Sequence, residues 1–388
     1  MNRKILIYYS QLNMGGAEKS LIRLMNRLAK EGCSVTYLGR FAHGSCEPLL
    51  SPDIRKIYLS ECPPPKGSFV KRLFGWPRTI FQRWWSYLKL IFFGDHYDLA
   101  FVGLQGLDPW CVCKLVKAKV RAVFIRNDIA KCQTRQRIRK AFRKYADSID
   151  YFVCVAGTVK ECFDLDLPEL ANKSLVIYNL LDTDGMHRMM AEADNPFEPG
   201  DDSFKIVSVC RVKDHAKGVF RMLNVCERLV RAGLRFKWYL VGDGPDLPAL
   251  REEIRKRGME KVFLTPGKKD NPFAYYLHAD LVAVPSYYEG LCGIVNEAKV
   301  AGAAVAATEF SGIYEQITPG ENGVIFKNDE DSIFEGLREL IGDPGKVRKL
   351  KNHLYPEAIL NDDLKLRKIC ALADAPHTDC RDAAEQPR

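Results

Sequence analysis

The chain has 388 residues and a net charge of +9, and hydrophobic residues make up 47% of it. This length is too great for one ordinary core and predicts two domains of about 180 residues each. The sequence has no run of about 18 apolar residues, which argues against a membrane-spanning helix. Its first apolar run is too short for a signal peptide, so we expect a cytoplasmic protein.

The first half of the chain alternates strand and helix patterns, as is typical of a parallel sheet covered by helices. A strand predicted at residues 4–9 leads through a loop holding Gly15 and Gly16 into a helix predicted at residues 17–30, where apolar residues recur every three or four positions. The other strands of this half are predicted at residues 34–39, 99–102, 122–126, 151–155 and 175–178. We therefore predict a Rossmann-like first domain over residues 1–181.

A polar stretch rich in turn-forming residues interrupts this alternation at residues 182–203. We predict an interdomain linker there, with a short helix near residues 186–193. The alternation then resumes, with strands predicted at residues 205–210, 236–241, 262–265, 281–284, 303–306 and 323–326. These strands predict a second Rossmann-like domain over residues 204–345. Residues 346–388 are expected to form a C-terminal helix that returns to the first domain and a loose tail.

Two cations flank the loop that follows the first strand of the second domain. Arg211 and Lys217 lie at its two ends, where a parallel sheet places its ligands. The planar guanidinium of arginine and the point charge of lysine both suit a diphosphate. A solvated basic loop is the alternative.

A second loop, after the strand predicted at residues 281–284, carries two carboxylates and several glycines. Glu289 lies in the loop, and a helix predicted to begin near Gly293 carries Glu297 about one turn in. The free N–H groups of a helix start can bind a phosphate. A carboxylate can accept hydrogen bonds from neighbouring sugar hydroxyls. Capping or surface roles for the two glutamates are the alternative that this spacing leaves open.

The ordered set of motifs resembles the retaining glycosyltransferases of family 4. In the second domain it consists of Arg211 with Lys217-Gly218, residues 241–245 (Val-Gly-Asp-Gly-Pro), residues 289–293 with Glu297, residues 308–315, and residues 321–323. In the first domain, residues 15–18 (Gly-Gly-Ala-Glu) and 178–179 (Tyr-Asn) are similar to the family as well. The match covers most of the chain up to about residue 345.

This resemblance implies an α/β chain with the GT-B fold, in which the parallel sheets of two Rossmann-like domains face each other across a donor and acceptor cleft. It implies that Arg211 and Lys217 bind the donor diphosphate, that Glu289 binds the transferred sugar and that Glu297 binds the nucleotide ribose. These enzymes use no metal or other cofactor, because cationic side chains and helix ends neutralise the leaving nucleotide. The nucleotide sugar, by default UDP-linked, is a co-substrate.

The resemblance also implies roles for backbone groups. The main chain of the second loop would line the sugar and the phosphates, and the glycine pair of the first domain would close over the donor. The residues concerned are Leu291, Cys292, Gly293 and Ile294 in the second domain and Gly15 and Gly16 in the first.

Two regions of the first domain depart from the family pattern. Many relatives carry a histidine facing the donor sugar where this chain has residues 103–106 (Gly-Leu-Gln-Gly), and some have His-Asn-Asp where this chain has residues 126–128 (Arg-Asn-Asp). Either change could alter donor choice or weaken catalysis.

Metal ligands are sparse in the sequence. The 13 cysteines include no Cys-x-x-Cys pair and no Cys/His cluster with zinc spacing. Two Asp-x-Asp triplets, at residues 164–166 and 182–184, are of a kind that binds metal in another glycosyltransferase fold. We expect no metal site, since one triplet follows a helix and the other opens the predicted linker.

A basic and aromatic segment in the first domain predicts contact with a membrane. Residues 62–94 contain no acidic residue and interleave lysine and arginine with phenylalanine, tryptophan and tyrosine. This composition suits a helix lying on an anionic bilayer over residues 66–93. A second basic run without acids lies at residues 131–144. Aromatic packing with solvated cations is the alternative. No nucleic-acid motif accompanies either run, so we expect no nucleic-acid partner.

Together these features predict a glycosyltransferase that moves a sugar from a nucleotide diphosphate sugar to a glycolipid, oligosaccharide or polysaccharide acceptor in surface polysaccharide synthesis, on the inner face of the cell membrane. A sugar-nucleotide epimerase of the same fold and a non-catalytic partner subunit remain as alternatives, since a fold does not decide a function.

Overall fold

The computed structural model describes residues 3–13, 15–61, 84–88, 90–91 and 94–374. The chain divides into two compact units. One is built from the chain up to Leu181 together with the chain from Asn361 onward, and the other is Asp182–Leu360. Each unit has its own hydrophobic core around its own sheet.

The first unit contains a parallel sheet of seven strands in the order β3-β2-β1-β4-β5-β6-β7. The strands are β1 Lys4–Tyr9, β2 Ser34–Gly39, β3 Arg55–Tyr58, β4 His96–Val102, β5 Lys117–Ile125, β6 Tyr151–Cys154 and β7 Ser174–Val176. The α-helices of this unit whose two ends lie in the described ranges include Gly16–Lys30, Trp110–Lys114, Arg135–Lys144, Gly157–Asp166 and Asp362–Asp374.

Strand β3 is absent from the sequence-based prediction. It lies at the edge of the sheet and pairs only with β2 in the described structure. Its two charged residues are exposed and its two apolar ones are only half-buried. An edge strand therefore shows neither the apolar run nor the strict alternation by which the buried strands are recognised.

The second unit contains a parallel sheet of six strands in the order β10-β9-β8-β11-β12-β13. The strands are β8 Phe204–Val209, β9 Phe236–Val241, β10 Phe263–Gly267, β11 Leu281–Val284, β12 Val305–Thr308 and β13 Val324–Phe326. The α-helices are Thr183–Ala191, Asp214–Lys217, Val219–Arg231, Leu247–Lys256, Phe273–His278, Gly293–Val300, Ile313–Gln316, Glu330–Gly342, Pro344–Leu350 and Glu357–Leu360.

Both sheets have a point at which the strand order reverses. In the first unit it lies between β1 and β4, and in the second between β8 and β11. At such a point the loops after the two strands run in opposite directions and leave a crevice, which is where open parallel sheets bind ligands. The loops that follow β1 and β4, and those that follow β8 and β11, are therefore the first places to look for a site.

Residues 182–203, for which a linker was predicted, fall within the second unit. Phe197 is buried there against the rings of Tyr239 and Tyr275. The C-terminal helix Asp362–Asp374 belongs to the first unit, where Leu366, Ile369 and Leu372 are part of the core.

Within the ranges that the structure describes, no helix is both long enough and apolar enough to cross a bilayer.

Candidate functional site

The reversal point of the second sheet brings together the two loops that carry the predicted donor-binding residues. Strands β8 and β11 are hydrogen-bonded neighbours, with Ile206 opposite Leu281. The loops that follow them are tied by a backbone hydrogen bond of 2.9 Å from the N–H of Tyr287 to the carbonyl of Ala216. Gly218, with φ +65°, ends the first loop, and a Cβ there would lie 3.1 Å from the carbonyl oxygen of Pro285. A Cβ at this distance would be a tight contact, so the two loops pass close to each other at Gly218.

An ion pair between Lys217 and Glu289 joins the two loops. Both side chains are mostly buried, at 20% and 17% exposed. The hydroxyl of Ser286 also donates to Glu289 Oε1 over 3.1 Å. Burial alone would lower the pKa of Lys217, but the neighbouring Glu289 carboxylate outweighs it and the pKa is raised. Lys217 therefore keeps its charge at neutral pH and presents a fixed cation in the crevice.

Arg211, the other predicted diphosphate ligand, lies exposed at the start of the same loop. Within the described ranges the structure gives it no hydrogen bond or ion pair, so nothing joins it directly to the Lys217–Glu289 pair.

Two glycines of the Val-Gly-Asp-Gly-Pro motif shape the loop that begins with Arg211. A Cβ on Gly242, whose φ is +152°, would lie 1.8 Å from the carbonyl oxygen of Cys210, and a Cβ on Gly244 would lie 2.2 Å from that of Val212. The backbone N–H of Val212 donates to the carbonyl of Asp243 over 2.9 Å. The motif after β9 therefore packs closely against the loop that begins with Arg211. The sequence did not reveal this packing role.

Glu297 lies on the helix Gly293–Val300, which begins directly after the second loop. The hydroxyl of Tyr276 donates to Glu297 Oε2 over 3.1 Å. Tyr276 is fully buried, and burial raises its pKa well above the ordinary value, so it remains a hydrogen-bond donor at physiological pH. Sequence analysis did not identify Tyr276, because a tyrosine in the apolar helix Phe273–His278 looks like any other core residue.

The backbone between Leu291 and Ile294 contains both the last loop residues and the start of the helix. Cys292 is buried, and burial raises the pKa of its thiol to about 12, so the thiol stays protonated. The N–H of Cys292 donates to the side chain of Gln316 over 3.0 Å. This amide, predicted to line the ligand, is therefore engaged within the protein, whereas Gly293 has open space where a Cβ would stand.

The glycine pair of the first domain lies at the reversal point of the first sheet, between β1 and the helix Gly16–Lys30. Glu18 folds back over the start of this helix, because a Cβ on Gly15 would lie 2.3 Å from Glu18 Oε2. The hydroxyl of Tyr9, at the end of β1, donates to Glu18 Oε1 over 3.1 Å. The carboxylate of Glu18 therefore lies against Gly15 at the start of the helix, where Tyr9 binds it.

The two departures from the family pattern turn out to be one structural feature. Arg126 is buried, and its Nε donates to the carbonyl of Gly103 over 3.0 Å while its backbone N–H donates to Gln105 Oε1 over 3.0 Å. Its Nη1 donates to Asn179 Oδ1 at 2.9 Å and to Ser20 Oγ at 3.2 Å. Burial lowers the pKa of Arg126 to about 10. Because Gln105 and Arg126 are bonded to each other, they form one polar cluster at the carboxyl ends of β4 and β5.

Among the residues that the structure describes, no group of three or more His, Cys, Asp or Glu side chains could hold a metal ion. In the first Asp-x-Asp triplet, Asp164 pairs with Lys160 and Asp166 with Arg135. In the second, the carboxylate of Asp182 accepts from the backbone N–H of Gly185 over 3.2 Å and caps the helix Thr183–Ala191. Asp164, Asp166 and Asp182 therefore have structural partners.

Most of the predicted membrane segment, residues 66–93, lies outside the described residues. The described part includes Trp84 and Trp85, whose exposed fractions are 56% and 51%. In the second basic run, Arg135 and Arg139 pair with Asp166, and Arg143 pairs with Glu169. Part of its charge is thus neutralised within the protein.

The chain is similar to known proteins in part of its sequence. Residues 190–356 match the family model described as glycosyl transferases group 1. The 2-deoxystreptamine N-acetyl-D-glucosaminyltransferase of Niallia circulans is 26% identical over 148 residues, covering 37% of this chain and 38% of that protein. The putative colanic acid biosynthesis glycosyltransferase WcaL of Salmonella typhimurium is 28% identical over 144 residues, covering 35% of each. The chain spans about two fifths of the length of the first of these relatives and about a third of the second.

Solved structures match over nearly the whole chain. Anabaena HepE in complex with UDP and glucose has a TM-score of 0.70 at 17% identity, covering 96% of this chain and 100% of that one. Sucrose-phosphate synthase from Thermosynechococcus elongatus has a TM-score of 0.70 at 15% identity, covering 95% and 99%. At these identities the likeness establishes the fold.

Proposed function

We propose that this protein transfers a sugar from a nucleotide diphosphate sugar to an acceptor with retention of the anomeric configuration. The chain carries a glycosyl transferases group 1 domain at residues 190–356 on a GT-B fold. The observation that carries the proposal is the buried ion pair of Lys217 and Glu289 at the reversal point of the second sheet. It places a fixed cation and a hydrogen-bond acceptor side by side where a parallel sheet binds its ligands.

The proposed roles follow from the chemistry of the groups. Lys217 and Arg211 bind the diphosphate, and their charge stabilises the negative charge that develops on the leaving nucleotide. Glu289 accepts hydrogen bonds from hydroxyls of the transferred sugar. Glu297, held by Tyr276, accepts from the ribose hydroxyls.

The remaining contacts come from the backbone. The start of the helix Gly293–Val300 offers N–H groups to the phosphates, and Leu291 borders the sugar. A role of Gly15 and Gly16 of the first domain in donor binding stays a prediction from the sequence. Because cationic side chains supply the positive charge, we expect transfer to need no metal.

The donor base and the acceptor are inferred from similar proteins. HepE is described in complex with UDP and glucose, which supports a UDP-sugar donor. WcaL is described as a putative colanic acid biosynthesis glycosyltransferase, which supports a lipid-linked or polysaccharide acceptor.

Release of free nucleotide tests the proposal. Incubation with UDP- and GDP-sugars and a lipid-linked oligosaccharide extract should release UDP or GDP only when donor and acceptor are both present, and should do so equally well in EDTA. Release without any change in the acceptor would favour a hydrolase, and conversion of the donor into another nucleotide sugar without release would favour an epimerase. Absence of both nucleotide release and donor binding would favour a non-catalytic subunit. Loss in EDTA that Mn²⁺ or Mg²⁺ restores would contradict the expected independence from metal.

We also propose that residues 66–93 bind an anionic membrane surface. Support comes from the acid-free basic and aromatic composition of this stretch and from the exposure of Trp84 and Trp85. Basic residues near such a surface contribute about 1 kcal/mol each, and salt weakens that contribution.

Vesicle flotation tests this membrane proposal. We expect the wild-type protein to float with anionic vesicles. Replacement of four basic residues of the segment by glutamate should abolish this flotation while donor binding persists. These cations are Lys71, Arg72, Arg78 and Arg83. A control variant makes the same charge change at exposed positions of the second unit, namely Lys256, Lys261, Arg348 and Lys349. Equal flotation of wild type and the first variant, or equal release of both variants, would contradict the proposal.

A further inference from the structure

A second stretch of the chain packs against the loop that holds Glu289, and it has no proposed contact with a ligand. We call residues 308–316, from the end of β12 through the short helix Ile313–Gln316, the backing segment, and residues 285–292 the glutamate loop. The first contact between them is made by Thr308, which is fully buried. Its hydroxyl donates to the carbonyl of Ser286 over 2.5 Å, which fixes the loop just before Glu289.

The second contact is a close approach of two glycines. Gly312 has φ +79°, and a Cβ there would lie 2.6 Å from the carbonyl oxygen of Gly290. Gly312 therefore serves two needs, since a side chain would be strained in this left-handed conformation and would also collide with the loop. The backing segment thus touches the residue directly after Glu289.

The third contact is made by Gln316, whose side chain is fully buried. Its Oε1 accepts from the backbone N–H of Cys292 over 3.0 Å, and its Nε2 donates to the carbonyl of Cys292 over 2.9 Å. The side-chain amide thus binds both polar groups of one residue, as a neighbouring strand would. Cys292 is the residue from which the helix Gly293–Val300 begins.

Two further side chains fix the orientation of the Gln316 amide. The hydroxyl of Tyr355 lies 2.9 Å from Gln316 Nε2 and donates to Asn296 Oδ1. Asn296 Oδ1 also accepts from Gln316 Nε2. The N–H and the carbonyl of Cys292 decide which end of the Gln316 amide is oxygen and which is nitrogen, and the nitrogen then faces Asn296 Oδ1. A buried network in which every member has a partner is rigid, and loss of one member leaves the others unsatisfied.

We propose that Gln316 is a positioning residue for the donor site: by binding both backbone groups of Cys292, it holds the glutamate loop and the start of the helix Gly293–Val300 in the geometry that receives the nucleotide diphosphate. The residue acts through the backbone of Cys292 and needs no contact with the ligand. This role rests on the proposed function, because it presumes a nucleotide at this loop. Pre-placed groups bind tightly because little reorganisation accompanies binding.

The experiment compares two buried amides of the second unit. Gln316→Met keeps the size of the side chain but loses the pairing with Cys292. Asn322→Leu is the matched control. Asn322 is also buried and bonded to backbone groups, namely the N–H of Thr318 and the carbonyls of Gln316 and Leu354. Among the described residues it makes no hydrogen bond to the glutamate loop or to the side chain of Gln316. UDP affinity is measured by calorimetry and folding by circular dichroism. Gln316→Met is expected to bind UDP about tenfold more weakly, and Asn322→Leu as tightly as wild type.

Hydrogen exchange of the backbone provides a readout that needs no ligand. In Gln316→Met the amide of Cys292 should exchange faster than in wild type, because its N–H has lost its acceptor, and in Asn322→Leu it should not. Should Gln316→Met fail to fold, Gln316→Glu keeps an oxygen for that N–H but loses the donor, and the same weakening is expected.

Three results would contradict the positioning role of Gln316. Unchanged UDP affinity in the folded variant, an equal loss in Asn322→Leu, or unchanged exchange at Cys292 would each overturn the positioning role. Failure of the wild-type protein to bind UDP or any nucleotide sugar would overturn the proposed function instead, while the exchange measurement would still report on the tie between Gln316 and Cys292.

Discussion

Replacement of Glu289 by glutamine is expected to reduce sugar transfer by a factor of about 10² to 10³ while UDP still binds, because this carboxylate contacts the reacting sugar in the proposed site. The substitution also removes the charge that raises the pKa of Lys217. Burial then becomes the main influence on the lysine and lowers its pKa. The remaining activity should therefore be lost, as the pH rises, at a lower pH than in wild type. Steady-state kinetics across pH, with UDP calorimetry alongside, measures both effects.

Glu297→Gln is the matched partner of this experiment. It is expected to weaken UDP binding by about 1.5–3 kcal/mol, since charge-assisted hydrogen bonds to the ribose are lost, while the hydroxyl of Tyr276 keeps an oxygen to bind. The two variants should therefore separate turnover from nucleotide affinity. If Glu289→Gln kept full activity, or if both variants lost only affinity, the assigned roles would be wrong.

Gly242→Ala is expected to have the largest effect on folding, about 3 kcal/mol or more of lost stability. A methyl group there would lie 1.8 Å from the carbonyl oxygen of Cys210, and the backbone angle of φ +152° is almost confined to glycine. Neither the strand end nor the loop that leads to Arg211 can move away without breaking the hydrogen bond of 3.0 Å between the N–H of Cys210 and the carbonyl of Val241. Thermal denaturation followed by circular dichroism measures the loss.

Gly258→Ala provides the control for backbone strain alone. Gly258 has φ +64°, but a Cβ there would meet no atom within 4 Å. We expect this variant to lose only about 1–2 kcal/mol, the ordinary penalty of a left-handed residue. Equal losses in the two variants would show that the approach of Gly242 to Cys210 is not what makes glycine necessary.

Much of the fold was predictable from sequence because buried parallel strands are short apolar runs between helical patterns. The strands at residues 4–9, 34–39, 236–241 and 281–284 occur as predicted. The edge strand Arg55–Tyr58 was not predictable in this way, because half of it is exposed and charged. Buried positions select apolar residues, so a strand that is largely exposed lacks the apolar pattern by which strands are recognised.

The sequence by itself determined the α/β class, the two sheets, the connections that carry Lys217 and Glu289, and the helix that carries Glu297, since these depend on local composition and on the order of motifs. Only the tertiary structure decided which side chains meet. It paired Lys217 with Glu289 across 72 positions, gave Glu297 a buried tyrosine as partner, and set Gln316 against Cys292. Such contacts depend on how strands are ordered in a sheet, and that order brings together loops whose separation along the chain carries no local signal.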